Sequence, residues 1–441
     1  MDHPSYPETI GRAIQSRIYR NGAFGIRATV PVGAETLARA AHKAMSSTAW
    51  GYIAGSAGLE TTADANRRAF EHWQIAPRML RNVAARDISI ELLGRRHPSP
   101  FLLAPIGVLE MAHPEADLAV AKAAAGLEVP MIFSTQASRP MEETAAAMGD
   151  AERWYQLYWS SNDELVASML ARAEAAGCRA IVVTLDTHVL GWRARDLDLG
   201  FLPFARGQGI AQYTSDPVFQ RLVRKRAALP STGERPKPTL TALRSLASIT
   251  RRYPGGFLDN LRSPLPRAAV ETFLDVFSRS SLTWEDLTFL REHTRLPILL
   301  KGIQHPDDAT KAIDAGMDGI VVSNHGGRQV DGAVGALDAL PPIVRAVDGR
   351  VPIVFDSGIR GGADAFKALA LGAQAVGIGR PFAYGLAVGG EAGVRAVLEH
   401  FMAEFDLTMA LAGCASIAEL NPEVLVERPA TGGTVSATAA L

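Results

Sequence analysis

The stretch VVSNHGGRQVDG (residues 321–332) places an imidazole and a guanidinium three residues apart, where an apolar run ends. A guanidinium can bind a carboxylate through two parallel hydrogen bonds. An imidazole with a pKa near neutrality can take a proton from a hydroxyl on the adjacent carbon. On its own, His325 would more often be a structural histidine. The pairing with Arg328 instead predicts a site for a 2-hydroxy carboxylate, because the glycines between them let both side chains reach one small molecule.

Polar side chains at other predicted strand ends complete this chemistry. Asp186 can stabilise the imidazolium as it forms, and Arg193 offers a second ligand for a carboxylate. Tyr158 supplies a hydroxyl that can form a hydrogen bond with the substrate. The set fits a 2-hydroxy carboxylate that is oxidised at its α-carbon.

Glycines and arginines follow the last two predicted strands, in DSGIRGGADAFKALALGA and GIGRP. Barrels bind phosphate at this place with backbone N–H groups and a helix N-terminus. The residues predicted to hold the anion are Gly358, Arg360, Gly361, Gly379 and Arg380. Asp356 can accept hydrogen bonds from sugar or ribityl hydroxyls. Lys301 is either an isolated charge at the rim or a group that stabilises negative charge on a cofactor ring, and the glycines could alternatively serve only turns.

Eight short apolar runs must position these residues. Continuous rather than alternating apolarity is typical of parallel strands that are covered on both faces. The runs span residues 101–105, 130–134, 154–158, 180–185, 297–302, 319–323, 352–356 and 375–379. Helix-like segments between them end in glycines suited to a left-handed C-cap. The alternation predicts an α/β protein with a (β/α)8 TIM barrel, and a doubly wound open sheet is the alternative.

The chain is predicted to form a single domain over residues 1–441. Its predicted parts are an N-terminal helical cap (1–95), the barrel (96–420), a long insertion after strand 4 (187–280) and a C-terminal tail (421–441). The insertion is far longer than an ordinary connection. It is interpreted either as a solvated, partly disordered segment or as a lid over the catalytic rim. The tail sequence ATGGTVSATAAL is expected to be disordered or to form a small extended arm.

Composition excludes several classes of function. The net charge of −1 gives no reason to expect a nucleic-acid or membrane partner. No run approaches the roughly 18 apolar residues of a membrane span, and the N-terminus lacks the apolar segment of a signal peptide. The two cysteines show neither metal-binding nor redox spacing, so no metal site is predicted. A cytoplasmic protein with buried free thiols is therefore expected.

Six segments together resemble the FMN-dependent 2-hydroxy acid oxidase family. They are SNHGGRQ, DSGIRGGADAFKALALGAQAVGIGRP, LAPIGVLEMAHPE, YQLYW, VTLDTHVLGWRARD and LLKGIQHPDDA. The similarity runs from about Tyr52 to the segment EFDLTMALAGC. The phosphate motif also occurs in other barrels, whereas SNHGGRQ is highly specific. The resemblance implies an FMN cofactor, a small 2-hydroxy acid and O2 as substrates, and a homotetramer or octamer.

The resemblance also implies roles for individual residues. It makes His325 the general base and Asp186 its partner. The residues that it implies for substrate binding are Tyr52, Tyr158, Arg193, His325 and Arg328. Those that it implies for FMN are Ala104, Pro105, Ile106, Gly107, Ser134, Gln156, Thr184, Lys301, Ser323, Asp356, Gly358, Arg360, Gly379 and Arg380. Among these, Lys301 would lie by the N1/O2 edge of the flavin.

Within the family, the chain looks most like lactate 2-monooxygenase. The segments that carry this likeness are GWRARDLDLGFLPFARGQGI, SDPVFQ, SLTWEDL, KGIQHPDDA and APIG. Many oxidases of the family have alanine where this chain has Gly107. The implied reaction retains the keto acid beside newly formed peroxide and converts lactate to acetate, CO2 and water. The alternatives are an oxidase that releases 2-keto acid and H2O2 and a dehydrogenase with another acceptor. Gln136 replaces an aromatic of plant-type members, so a substrate larger than lactate stays open.

Overall fold

Eight parallel strands close into a barrel in the computed structural model, which describes residues 9–229 and 239–428. The strands are β1 Phe101–Leu103, β2 Met131–Phe133, β3 Arg153–Leu157, β4 Ile181–Thr184, β5 Ile298–Ile303, β6 Gly319–Val322, β7 Ile353–Phe355 and β8 Ala375–Ile378. Each coincides with one of the eight predicted runs. The pairing of β8 with β1 closes the barrel, which confirms the (β/α)8 prediction and excludes the open sheet.

Apolar side chains on both faces of the strands explain why these runs form strands. One set fills the barrel interior, and its members include Leu102, Val182, Leu299 and Val321. The alternate residues point outward and pack against the surrounding helices. A strand buried on both faces needs apolar residues at every position, which accounts for the continuous runs.

Eight helices surround the strands and return the chain from one strand to the next. They are Ala116–Ala125, Met141–Met148, Asp163–Ala175, Leu287–His293, Pro306–Asp314, Ala336–Val347, Gly362–Ala370 and Arg380–Ala412. The last of these is kinked at Gly389 and Gly390, whose backbone angles are not helical. Short 3-10 segments occur at Leu109–Met111, Pro203–Arg206, Ile417–Glu419 and Pro422–Val424, and the turn His325–Gly327 has positive φ at all three residues.

The glycine expected after the helix Ala116–Ala125 departs from the predicted left-handed conformation. Gly126 has φ −68°, and the left-handed residue of this turn is Glu128 with φ 54°. A Cβ atom at Gly126 would lie 2.5 Å from the guanidinium of Arg395. The position of the Arg395 side chain, rather than the backbone conformation, is therefore the feature that a glycine accommodates here. The corresponding glycines of the other three helix ends, Gly177, Gly316 and Gly372, do have positive φ.

The N-terminal segment contains four helices and also short strands, which the prediction of a helical cap did not include. The helices are Ile10–Ala23, Ala34–Ala44, Ser47–Ala54 and Thr61–His72. The hairpin Ile90–Leu92 and Arg95–His97 places Ile90 and Leu92 in the same cluster as the barrel interior, so it closes one end of the barrel. Strand Trp73–Ile75 pairs antiparallel with Leu425–Glu427 of the tail. The tail residues 429–441 lie outside the described part.

The described part of the insertion is helical and packs on the barrel. Its helices are Ala194–Asp198, Ala211–Thr214, Pro217–Ala227, Leu240–Arg252, Phe257–Arg262 and Leu265–Val276. Asp216 is fully buried, starts one helix as its N-cap, and accepts hydrogen bonds from Ser168 and Arg172 of a barrel helix. Residues 187–229 and 239–280 are thus not a solvated coil, while residues 230–238 lie outside the described part. The lid interpretation stays a prediction.

Across residues 9–229 and 239–428, none of the helices has both the length and the apolar character that crossing a membrane would require.

Candidate active site

A cavity with about 970 Å³ of space, part of it open to solvent, lies at the carboxyl ends of the strands, and each barrel strand or the segment that follows it contributes to its wall. The predicted site residues that line it are Tyr52, Ala104, Pro105, Ile106, Gly107, Tyr158, Arg193, Lys301, His325, Arg328, Asp356, Gly358, Arg360, Gly379 and Arg380. Gln136, which the family resemblance linked to substrate size, also lines it, and sequence reasoning missed seven further lining residues, which are Ile53, Thr187, Leu190, Gly326, Ser357, Ile359 and Gly377. Several of these follow predicted site residues in the chain by only one to four positions, and that proximity was the available signal.

His325 and Asp186 form a buried pair on one side of the cavity. The Nδ1 atom of His325 lies 2.8 Å from Oδ1 of Asp186, which also accepts a 3.1 Å hydrogen bond from the Thr187 hydroxyl. A proton on Nδ1 satisfies the carboxylate and leaves the lone pair on Nε2. Nε2 lies 3.4 Å from the hydroxyl of Tyr158, so the basic nitrogen faces the cavity.

The protonation states of this pair suit a base and its anionic partner. Burial lowers the pKa of His325 below its usual value, because the attraction of Asp186 does not fully offset the loss of water and Lys301 adds a repelling charge. Burial opposes ionisation of Asp186, but His325 and Lys301 outweigh it and lower the pKa of Asp186 to about 2. The pair therefore rests as a neutral imidazole beside a carboxylate.

Two arginines face the same space and surround the ring of Tyr52. The guanidinium carbons of Arg328 and Arg193 lie 5.1 and 5.9 Å from the centre of that ring. Arg328 donates 2.6 Å hydrogen bonds to the carbonyl oxygens of Tyr52 and Gly55, and Arg193 donates to the Gln329 side chain at 3.1 Å. Burial and the charge of Arg193 lower the pKa of Arg328 to about 9. Two buried cations that repel each other favour an anionic ligand between them.

Lys301 lies at the floor of the cavity as a buried ammonium group. Its Nζ atom donates a 2.9 Å hydrogen bond to the Ser323 hydroxyl and lies 3.4 Å from Oδ2 of Asp356. Burial would lower the pKa of Lys301, but the carboxylates of Asp356 and Asp186 outweigh this and raise it. The group stays charged and can stabilise negative charge on a ring bound above it.

Three of the residues predicted to contact the cofactor ring lie behind the cavity wall. Ser134 donates to Oε1 of Gln156 at 3.1 Å, and Nε2 of Gln156 donates to the Thr184 hydroxyl at 3.0 Å. All three side chains are buried, and they join the ends of β2, β3 and β4. Their contact with a ring stays a prediction.

Arg360, Arg380 and glycine backbone lie together at the other end of the cavity. Burial lowers the pKa of Arg360 to about 10, with the charge of Arg380 as a further cause. Within the described residues, neither arginine forms a salt bridge, and Arg380 donates only to carbonyl and hydroxyl oxygens. A Cβ atom at Gly379 would meet nothing within 4 Å, so its backbone borders open space. Two half-buried guanidiniums beside this backbone, without a carboxylate partner among the described residues, fit a phosphate group.

Gly107 lies against the turn that follows β2. A Cβ atom at this position would be 2.9 Å from both Cβ and the carbonyl oxygen of Gln136, and 3.3 Å from the Ser134 hydroxyl. That carbonyl also accepts a hydrogen bond from the Val108 N–H group at 2.9 Å, which fixes its position. Close packing against Gln136 therefore explains why a glycine occupies position 107.

Comparison with known proteins agrees with this geometry. The family described as FMN-dependent dehydrogenase matches residues 41–427. The FMN-dependent alpha-hydroxy acid dehydrogenase qulF of Penicillium citrinum is 40% identical over 93% of this chain and 94% of its own length. The L-lactate oxidase of Lysinibacillus sphaericus strain C3-41 is 43% identical over 91% of this chain and 94% of its own. The crystal structure of mandelate oxidase with (S)-4-hydroxymandelic acid superposes with a TM-score of 0.73 at 36% identity, and it covers 90% of this chain and 98% of that chain.

Proposed function

The chain belongs to the FMN-dependent dehydrogenase family, and from this premise we propose that it oxidises L-lactate with O2 and retains the keto acid until it is decarboxylated. FMN is the cofactor, and oxidation of 2-hydroxy acids is the chemistry that its relatives share. The products would be acetate, CO2 and water, with one O2 consumed for each lactate. When bound, FMN supplies the acceptor for two electrons and the α-hydrogen, and dioxygen reoxidises it.

The observation that carries the proposal is the position of His325, which Asp186 holds through Nδ1 and which faces Arg193 and Arg328 across one small space. Arg193 and Arg328 bind the carboxylate and thereby fix the α-carbon. Nε2 of His325 takes the proton of the α-hydroxyl, and Asp186 stabilises the imidazolium that results. The hydroxyls of Tyr158 and Tyr52 bind substrate oxygens.

The residues that would hold FMN divide along the cavity. Arg360 and Arg380, with the backbone of Gly358 and Gly379, bind the phosphate. Asp356 accepts from the ribityl hydroxyls. Lys301 stabilises negative charge at the N1/O2 edge, and the backbone from Ala104 to Gly107 flanks the ring. Ser134, Gln156, Thr184 and Ser323 complete the proposed set.

Retention of the keto acid is supported by the enclosure of the substrate side. Arg193 is 8% exposed and Thr187 6% exposed, whereas Leu190 is 39% exposed, so the wall that the insertion builds encloses this side in part. Gly107 lets the turn after β2 pack directly against the segment that flanks the ring, so that Gln136 lies where a side chain would be. A partly enclosing wall lengthens the time that pyruvate spends next to peroxide, which is the condition for decarboxylation.

An oxidase that releases pyruvate and H2O2 is the second candidate, and two observations favour it. One relative is an L-lactate oxidase. The close contact of Gly107 with Gln136 also gives the glycine a packing role that is independent of oxygen chemistry.

The test is a product analysis of the FMN-loaded protein with L-lactate in air, in the presence of catalase. Catalase destroys released peroxide before it can decarboxylate released pyruvate in solution, so acetate then reports decarboxylation inside the protein. Predominant acetate supports the proposal, and predominant pyruvate supports the oxidase. Slow reoxidation by O2 but fast turnover with an artificial acceptor would identify a dehydrogenase. If neither L-lactate nor L-mandelate bleaches the flavin without oxygen, the proposal is wrong.

We further propose that the protein assembles as a homotetramer or octamer, which light scattering coupled to size-exclusion chromatography would test.

A further inference from the structure

Ser357, directly after β7, has a backbone conformation that is unfavourable for its residue type. Its φ of 84° lies in the left-handed region, where a Cβ atom is strained. Such strain persists only where the surroundings determine the conformation, and it is concentrated at functional sites. Ser357 is buried and lines the cavity. The contacts of its side chain show what holds it there.

The Ser357 hydroxyl uses all of its hydrogen-bonding capacity. It accepts from the N–H groups of Gly326 at 2.9 Å and Asn324 at 3.3 Å, and it donates to Oδ1 of Asp356 at 2.9 Å. A hydroxyl has one donor and two acceptor positions, so none is left for another partner. The side chain therefore ties the loop after β6 to the end of β7.

This contact closes a ring of polar groups across three strand ends. Oδ2 of Asp356 lies 3.4 Å from the Lys301 ammonium, which donates to the Ser323 hydroxyl at 2.9 Å. The same hydroxyl accepts from the N–H group of His325 at 3.0 Å. His325 is followed by Gly326, whose N–H group donates to the Ser357 hydroxyl and so closes the ring. The general base and the buried lysine thus share one hydrogen-bonded frame.

The loop that carries the base needs such a frame. His325, Gly326 and Gly327 have φ values of 57°, 66° and 77°, so three consecutive residues are left-handed. The N–H groups of His325 and Gly326 donate to side-chain hydroxyls instead of the carbonyl oxygens of a helix or sheet. The Ser323 hydroxyl accepts from the N–H group of His325, and the Ser357 hydroxyl accepts from the N–H group of Gly326. The direction of the imidazole depends on this backbone, because a non-glycine residue does not adopt the left-handed region unaided.

We propose that Ser357 is a positioning residue whose hydroxyl fixes the His325 loop relative to Asp356 and Lys301. It touches the base only through the backbone and the ring of polar groups. The inference rests on the proposed role of His325 as the general base.

Two substitutions distinguish the effect of losing the hydroxyl from the effect of the backbone strain. Ser357→Gly removes the hydroxyl and relieves the left-handed conformation, while Ser357→Ala removes the hydroxyl and keeps the strain. The rate of anaerobic flavin reduction by L-lactate should fall by about tenfold or more in both, because sub-ångström misplacement of a base is costly. The KM for L-lactate and the Kd for FMN, from quenching of flavin fluorescence, should stay within about twofold of the native values. Ser357→Ala should unfold at a lower temperature than Ser357→Gly.

The matched control is Asp348→Gly. Asp348 is exposed at the end of the helix Ala336–Val347, far from the cavity lining, and its φ is 48°. The substitution should raise the melting temperature by relief of strain and leave flavin reduction unchanged.

Each outcome has a defined consequence. Native rates of flavin reduction in both Ser357 variants would overturn the inference while leaving the proposed function intact. A rate loss matched by an equal weakening of FMN binding would also overturn it, because the residue would then act on the cofactor. If the native protein itself is not bleached by any 2-hydroxy acid, the proposed function fails first and the inference with it.

Discussion

The Nδ1 atom of His325 lies 2.8 Å from Oδ1 of Asp186, although 139 positions separate the two residues in the chain. The pair joins the end of β4 to the end of β6, across β5. The carboxylate fixes which ring nitrogen carries the proton, and Nε2 therefore faces Tyr158 and the cavity. A pKa of about 2 for Asp186 keeps the carboxylate charged at every pH at which the imidazole titrates.

Substitution Asp186→Asn should slow anaerobic flavin reduction by about 100-fold or more, within the range that general bases contribute. The amide preserves shape but removes the charge that stabilises the imidazolium. Stopped-flow bleaching of the flavin by L-lactate measures the rate, and a titration should show that FMN still binds. The exposed Asp307→Asn serves as the control for a change of one charge and should reduce at the native rate. Near-native bleaching in Asp186→Asn would contradict the assigned partnership.

The pH dependence of kcat/KM follows from the protonation state of His325. As the pH falls through the pKa of His325, the protonated imidazole can no longer accept a proton, and activity is lost. Burial lowers this pKa, so the acid limb should lie below the ordinary value of about 6.5. In Asp186→Asn the loss of activity should occur at a still lower pH, because the attraction of Asp186, which raises the pKa of His325, is gone. Initial rates at saturating O2 across the acid range measure it, and a native limb above neutrality would be inconsistent with this role.

The same shift has a consequence for stability. The unfolded chain binds a proton at His325 at higher pH than the folded chain does. Protonation therefore favours unfolding as the pH falls below about 6.5, and stability from the neutral imidazole is regained as the pH rises.

The barrel could be predicted because its strands are buried on both faces. Runs such as 180–185 and 319–323 are apolar except for Thr184 and Ser323 at their carboxyl ends, and the corresponding strands β4 and β6 are buried throughout. The rule that barrel chemistry lies at the carboxyl ends of strands then brought His325 and Asp186 together without any knowledge of their distance.

The remaining features depend on tertiary contacts that no local pattern encodes. The left-handed backbone of Ser357 follows from hydrogen bonds to another loop, and serine is not a residue type that predicts it. The space that a side chain at Gly126 would take is occupied by the guanidinium of Arg395, which is distant in the chain. The insertion has Pro- and Gly-rich stretches that obscured its helices, although Asp216 before a proline is an N-cap signal that was available.

Substitution Arg328→Lys should raise the KM for L-lactate by roughly 10- to 100-fold, since a hydrogen bond to a charged group contributes about 1.5–3 kcal/mol. A lysine cannot donate to the carbonyls of Tyr52 and Gly55 and also bind a carboxylate with two hydrogen bonds. Arg350→Lys is the matched control, because Arg350 also donates to backbone carbonyls but is exposed at the end of a helix. Steady-state kinetics of both variants measure the effect. An unchanged KM would remove Arg328 from the proposed carboxylate site.

Substitution Gly107→Ala should lower the ratio of acetate to pyruvate formed with catalase present. The added methyl would lie 2.9 Å from Cβ and from the carbonyl oxygen of Gln136, and that oxygen is held by the Val108 N–H group. The turn after β2 must therefore shift by a few tenths of an ångström, at a cost of about 1–3 kcal/mol in the free energy of unfolding. A displaced wall beside the ring shortens the stay of pyruvate. Gly22→Ala is the control, because its methyl would meet nothing within 4 Å and should stabilise the protein by about 0.4–1 kcal/mol without changing the products. An unchanged ratio in a destabilised Gly107→Ala protein would mean that the partition is set by the arginines and the insertion rather than beside the ring.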